Sequence, residues 1–363
     1  MPNKKKCKWG FKWKFEFWNK MIKRGNENGQ GATVVFGTPI SQERSLLMKL
    51  PRELRDEIYY YVFFSILFFS GKRGMDPINC EPTVPDPNAL SLLRSCRQVY
   101  FEVGKSWLGQ VEFCFENMEA MLDKLANISL EMRSMIRYVR VSGKHLLLRL
   151  PETVPSYHIS QSLKLLSGMK LDRLTVVGSY VCDYSYETLE FLINYSDGWK
   201  ELYYISWDSC FLGYASTVKI DWLSQGSLDG NTYLRVPQPA GWQENLENRD
   251  GADSGSSVTI YRSRQPSVRP GSVMYDRHTR TEFTQNLSPE QDAGTYGLTE
   301  DPQLMAPGER EKEVLVVVKR GSGVDYEEKQ DSPYHPYDDF RKRFPGKGWR
   351  EIGLYIFRER LWI

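Results

Sequence analysis

Apolar and polar positions change period several times along the chain. Trp9, Phe11, Trp13, Phe15 and Phe17 alternate with Lys12, Lys14 and Glu16. A period of two sends successive side chains to opposite faces of a strand. Such a strand either docks its aromatic face on the body or presents an aromatic, basic surface to a membrane or nucleic acid. Gly25, Gly29, Gly31, Gly37 and Pro39 mark a linker over 25–40. Helical spacing follows. Leu46, Leu47, Met48 and Leu50 lead to Pro51, which suits a first helical turn because an N–H there would have no partner. Behind it Leu54, Ile58, Tyr61 and Val62 form an apolar stripe, with Arg52, Glu53, Arg55, Asp56 and Glu57 as the polar side. The run from Ile58 to Phe69 is too short to span a bilayer as a helix.

Gly71, Gly74, Pro77, Pro82, Pro85 and Pro87 predict a loop over 71–88. Leu92, Leu93, Cys96, Val99, Tyr100, Val103 and Trp107 predict a helix over 89–107, with Asn88 as its cap. Val111, Phe113 and Phe115 alternate as a strand. Met118, Met121, Leu122 and Leu125 return to helical spacing behind Asn117. An apolar-x-x-apolar-x-apolar pattern then recurs: Ile136, Val139, Val141; Leu171, Leu174, Val176; Leu202, Ile205, Trp207. Helix-like runs at 162–166 and 186–195 lie between, so the segment reads as a strand–helix repeat similar to a leucine-rich repeat, or as an ordinary α/β body. Residues 236–311 are rich in Pro, Gly, Ser, Asn, Asp and Glu and read largely as loop or disorder, with one short strand around Val258, Ile260 and Tyr261. Val314 to Val318 reads as a buried strand. Ile352, Leu354 and Ile356 alternate, which predicts C-terminal strands that dock on the body.

The chain has 363 residues, 40% hydrophobic, 13% aromatic and 26% charged, the profile of a folded protein rather than a disordered or fibrous one. Its formal charge of +2 hides an asymmetry. Residues 1–24 hold nine Lys or Arg against Glu16, which leaves −6 on the remainder. Such an arm suits weak, salt-sensitive contact with nucleic acid or an anionic surface, or recognition by nuclear import machinery. Arg341, Lys342 and Arg343 form a second basic patch. No transmembrane segment is expected, which points to an intracellular protein, cytoplasmic or nuclear.

Two segments carry a resemblance. Leu50-Pro51-Arg52-Glu53-Leu54-Arg55-Asp56-Glu57-Ile58-Tyr59 resembles the opening of an F-box, and more closely that of a fungal F-box-like family. Leu92-Leu93-Arg94-Ser95-Cys96-Arg97-Gln98-Val99-Tyr100, with Glu102, resembles the second half of the same module. The insertion at 71–88 separates the halves. The resemblance implies an α+β chain in which a small helical F-box-like module precedes an irregular leucine-rich-repeat-like α/β body with long loop insertions. The divisions are a basic aromatic arm and linker at 1–40, the module at 41–115, the body at 116–235, largely loop at 236–311, and C-terminal strands at 312–363. It also implies a substrate receptor of a cullin-type ubiquitin ligase. Leu50, Pro51, Leu54 and Ile58 would contact a Skp1-like adaptor, joined by Leu92 and Leu93, and the body would hold an unknown protein target. A protein-interaction scaffold of the same fold without ligase association is the alternative, and Leu54, Ile58, Cys96, Val99 and Tyr100 also suit the core of a helix pair.

No chemical signature competes with that reading. The six cysteines make no C-x-x-C pair, His145 and His158 are thirteen residues apart, and His278 and His335 fall in loop-like sequence. Phosphate-binding glycine motifs and a G-x-S-x-G elbow are absent. Asp208, at the end of an expected strand, either meets a ligand or caps a loop. No catalytic residue, cofactor or metal site is expected, so an enzyme is not.

Overall fold

The computed structural model describes residues 45–71, 76–78, 90–104, 106–214, 217–220, 231–234, 237–266, 271–286, 304 and 306–356. The basic arm at 1–24 and most of the 71–88 insertion lie outside them. The described chain mixes helices with a mostly parallel eight-stranded sheet, an α+β architecture. Strands β1 (Leu67–Ser70), β2 (Glu112–Phe115), β3 (Tyr138–Ser142), β6 (Leu171–Val177) and β7 (Trp199–Ser206) run parallel, each beside the next. β12 (Val314–Lys319), β10 (Ser257–Ser263) and β11 (Arg280–Phe283) complete the sheet by antiparallel pairing. Two small antiparallel pairs stand apart: β4 (Leu146–Leu147) with β5 (Ser156–Tyr157), and β8 (Thr217–Ile220) with β9 (Asn231–Leu234).

The helices, in chain order, are α1 (Leu46–Lys49), α2 (Arg52–Phe64), α3 (Leu92–Ser95), α4 (Arg97–Val103), α5 (Met118–Leu125), α6 (Leu130–Met135), α7 (Ile159–Leu163), α8 (Cys182–Tyr195), α9 (Ala240–Asp250), α10 (Ser272–Tyr275), α11 (Phe340–Arg343) and α12 (Trp349–Ile352). Parallel neighbours require crossovers, and crossovers that step in one direction deliver their helices to one face. Leu122 of α5, Leu163 of α7, Leu189 and Ile193 of α8 and Trp242 of α9 accordingly share one core with Phe113, Val139, Leu174 and Leu202. Those four strand residues sit side by side in register.

The three segments that carry the recurring pattern form the parallel strands β3, β6 and β7, but the third is offset from the expected alignment. Leu202 aligns with Leu174, so the inward set is Trp199, Leu202 and Tyr204. Ile205 points to the opposite face, with Val177, Leu315 and Val317. Strand alternation enforces this once Tyr204 faces the helices, where its hydroxyl donates to the Ser185 carbonyl at 2.8 Å.

Three other expectations need correction. The single helix over 89–107 is broken, because Cys96 is extended and its Sγ accepts the Val99 N–H to start α4. Gly104, at φ 52°, then ends α4 in a conformation that disfavours other residues. Within 236–311 the described residues contribute α9, β10, α10 and β11, where one short strand was expected, while 267–270 and 287–303 lie outside the described residues. Helix α9 escapes periodicity because Trp242 and Leu246 alone anchor an otherwise polar sequence. The alternation at 352–356 belongs to α12 and the turn after it, and only Ile356 makes a strand-like bridge, to Leu148.

Candidate protein-interaction surface

Helix α2 is amphipathic in an inverted sense. It buries Arg55, Tyr59 and Phe63, at i, i+4 and i+8, while Leu54 and Ile58 are 47% and 38% exposed. Arg55 turns inward because α4 supplies its counter-charge. Its Nη2 and Nε donate to the Glu102 carboxylate at 2.6 and 3.0 Å. Its Nη1 donates to the carbonyls of Leu50 and Met48. The Tyr59 hydroxyl and Gln98 Nε2 donate to the same carboxylate at 2.9 and 3.0 Å. Arg52 Nη2 adds a bond to the Glu102 backbone carbonyl at 2.8 Å. Burial pushes the Glu102 carboxyl up, but the hydrogen bonds from Arg55, Gln98 and Tyr59 outweigh it and hold the group below the usual carboxylate range. Burial, followed by the bond to Glu102, pushes the Tyr59 phenol up to about 12. The two halves of the resemblance thus meet around one carboxylate, with Arg55 and Glu102 47 positions apart.

The residues expected at an adaptor divide on this frame. Leu54, Ile58 and Pro51 are exposed, and Leu50 and Leu92 are half-buried. Leu93 is corrected: at 3% exposure it belongs to the core and offers nothing to a partner. Tyr61, 67% exposed, was not expected in the site. Its spacing of i+7 from Leu54 and i+3 from Ile58 is the signal that places it on the same ridge. Arg52, bonded to Asp56 at 2.8 Å, lies with exposed Glu53 and Glu57 as a charged rim. The reading of Leu54, Ile58 and Tyr100 as core is corrected by their exposure, whereas Val99 is core.

The other candidate surfaces are less open. The sheet face away from the helices is partly closed by fully buried Ile78 and Val273. Within it Arg140 donates to Glu112 at 2.6 Å and to the Tyr275 hydroxyl at 2.9 Å. Arg173 lies between the rings of Tyr138 and Tyr203, at 5.3 and 5.4 Å from their centroids. The 341–343 patch is engaged internally: Arg341 binds Asp339 and the Ser332 and Pro333 carbonyls, and Arg343 binds Asp338. Three histidines that are remote in sequence converge beside α8. The His145 and His158 rings are 4.0 Å apart, and Phe191 lies between His158 and His335. Among the described residues no helix is long and apolar enough to cross a membrane. No protein-family model, curated protein or solved structure matches this chain.

Proposed function

We propose that the chain is an F-box-like substrate receptor: α2 docks a Skp1-like adaptor, and the α/β body presents a protein target to a cullin-type ubiquitin ligase. The observation that carries this reading is the exposed Leu54–Ile58–Tyr61 ridge on a helix whose opposite face is locked by the Arg55–Glu102 pair. An apolar ridge with a charged rim, presented by a rigid helix, is a means of engaging a groove on a partner. The second reading, a scaffold of the same fold without ligase association, is favoured by the continuity of the module with the body. Strand β1 follows α2 directly and pairs with β2, so the helices are not an independent unit.

Calorimetric titration of the full chain with a purified Skp1-like adaptor tests the first reading. Saturable binding is expected, weakened by at least about tenfold in Leu54→Asp/Ile58→Asp, since central apolar anchors carry most interface energy. Leu130→Asp, at a more exposed leucine on α6, is expected to leave binding unchanged. Absence of binding by the folded natural chain would remove the ligase reading and leave the scaffold.

A further inference from the structure

Cys182 opens α8 shortly after β6, and Asp208 and Cys210 lie in the turn after β7. These strands are parallel neighbours, so both loops emerge at the carboxyl edge of the sheet, where α/β proteins commonly bind ligands. One ligand atom from each of the three side chains lies within 4.8 Å of the other two, and all three residues are half-buried. Tetrahedral zinc–thiolate geometry puts sulfur atoms about 3.8 Å apart, so the cluster is near the size a zinc-class ion requires.

We propose that Cys182, Asp208 and Cys210 bind one divalent cation of the zinc class, with solvent in the fourth tetrahedral position. Two soft sulfurs and a single carboxylate suit zinc or cobalt over magnesium or calcium, which prefer all-oxygen sets. The loops are fixed from behind. The Gly178 N–H donates to the Ile205 carbonyl at 2.7 Å, and the Ser185 Oγ to the Ser179 carbonyl at 2.7 Å. Across the site the Cys210 N–H donates to Asp208 Oδ1 at 2.9 Å, and Phe211 and Leu212 anchor the turn in the core. Such support holds ligands near their working geometry before an ion arrives. Cys182 stands at the N-terminus of a 14-residue helix, whose dipole favours a thiolate. As each sulfur enters the coordination shell as thiolate, its proton passes to the buffer.

The test is a cobalt(II) titration of the full-length chain, kept reduced with a phosphine, stripped of metal by a chelator that is then removed, and handled without oxygen. Thiolate-to-cobalt charge-transfer bands and intense tetrahedral visible bands should saturate at one equivalent, and zinc should abolish them. Cys182→Ser and Cys210→Ser should each remove the charge-transfer signal at one equivalent. Asp208→Asn should weaken affinity by roughly tenfold or more, the scale at which perturbing a metal site's ligand environment is felt. Cys96→Ser and Cys114→Ser should change nothing, with circular dichroism confirming that every variant is folded. Absence of a charge-transfer band in the natural chain, or its persistence in Cys182→Ser/Cys210→Ser, would overturn the proposal. So would a Cys182–Cys210 disulfide that the phosphine fails to open.

Discussion

Glu102→Ala is expected to lower the unfolding free energy by about 1–3 kcal/mol, the cost of leaving a part-buried charged donor without its acceptor. The Arg55 side chain is only 11% exposed, and Glu102 accepts from its Nε and Nη2, from the Tyr59 hydroxyl and from Gln98. Without the carboxylate, Arg55 would keep only the Leu50 and Met48 carbonyls. Arg55→Met/Glu102→Met should recover most of the loss, because it removes the stranded charge together with its partner. Leu54→Asp/Ile58→Asp should cost only about 1–2 kcal/mol, mostly helix propensity, since neither side chain is in the core. Urea unfolding followed by circular dichroism and tryptophan fluorescence would measure all three. A Glu102→Ala variant within about 0.5 kcal/mol of the natural chain would contradict this account of the module.

Acidification from pH 6.5 towards 4 is expected to remove several kcal/mol of stability through two histidines. His158 is pushed down to about 3, first by burial and then by the charges of His145 and His335. His335 is pushed down to about 4 by burial, which prevails over the opposing pull of Asp339. In the unfolded chain both rings take up protons near their ordinary value of about 6.5. Between the two sets of values the unfolded state therefore binds more protons, and stability falls as pH falls, by up to about 1.4 kcal/mol per pH unit for each ring. Around His158 stand the Thr188 hydroxyl at 3.0 Å and Glu187 at 3.9 Å; His335 meets Ser160 at 3.3 Å, with Asp338 and Lys164 acting at longer range. Glu190 opposes part of the effect. Burial, then Glu187, raises its carboxyl to about 7, so it favours folding as pH falls from 7 towards its ordinary range. Denaturant midpoints measured from pH 7 to pH 5 should decline, with a shallower decline in His158→Gln. A flat profile would mean that these rings are hydrated in solution.

Local periodicity made much of this fold legible. The alternation of Val139 with Val141 and of Leu174 with Val176, and the helical spacing of Leu189, Leu192 and Ile193, all appear as read. What stayed hidden depended on partners distant in sequence. Arg55 reads as a surface charge until Glu102 is placed beside it, and its burial turns Leu54 and Ile58 outward. The spacing of the apolar stripe alone left it open between a partner-facing surface and the core of a helix pair, and the burial of Arg55 is what leaves Leu54 and Ile58 exposed. Helix α9 is held by Trp242 and Leu246 within a polar stretch that gives no amphipathic signal. Cys182 and Cys210 form no short motif, because parallel strand pairing is what brings their loops together. Asp208 was legible as a residue at a strand end, and its bond to the Cys210 N–H is the loop-capping role that the position suggests.

The central claim is that the outer ridge of α2 is a docking surface for the adaptor. Photo-crosslinking tests it most directly, with a benzophenone amino acid placed at Tyr61 on the ridge or at Val154, a 51% exposed residue near β5. On irradiation with a Skp1-like adaptor, the account predicts a covalent adduct from position 61 and none from position 154. Equal crosslinking from both positions, or none from position 61 under conditions where the adaptor binds, would contradict it.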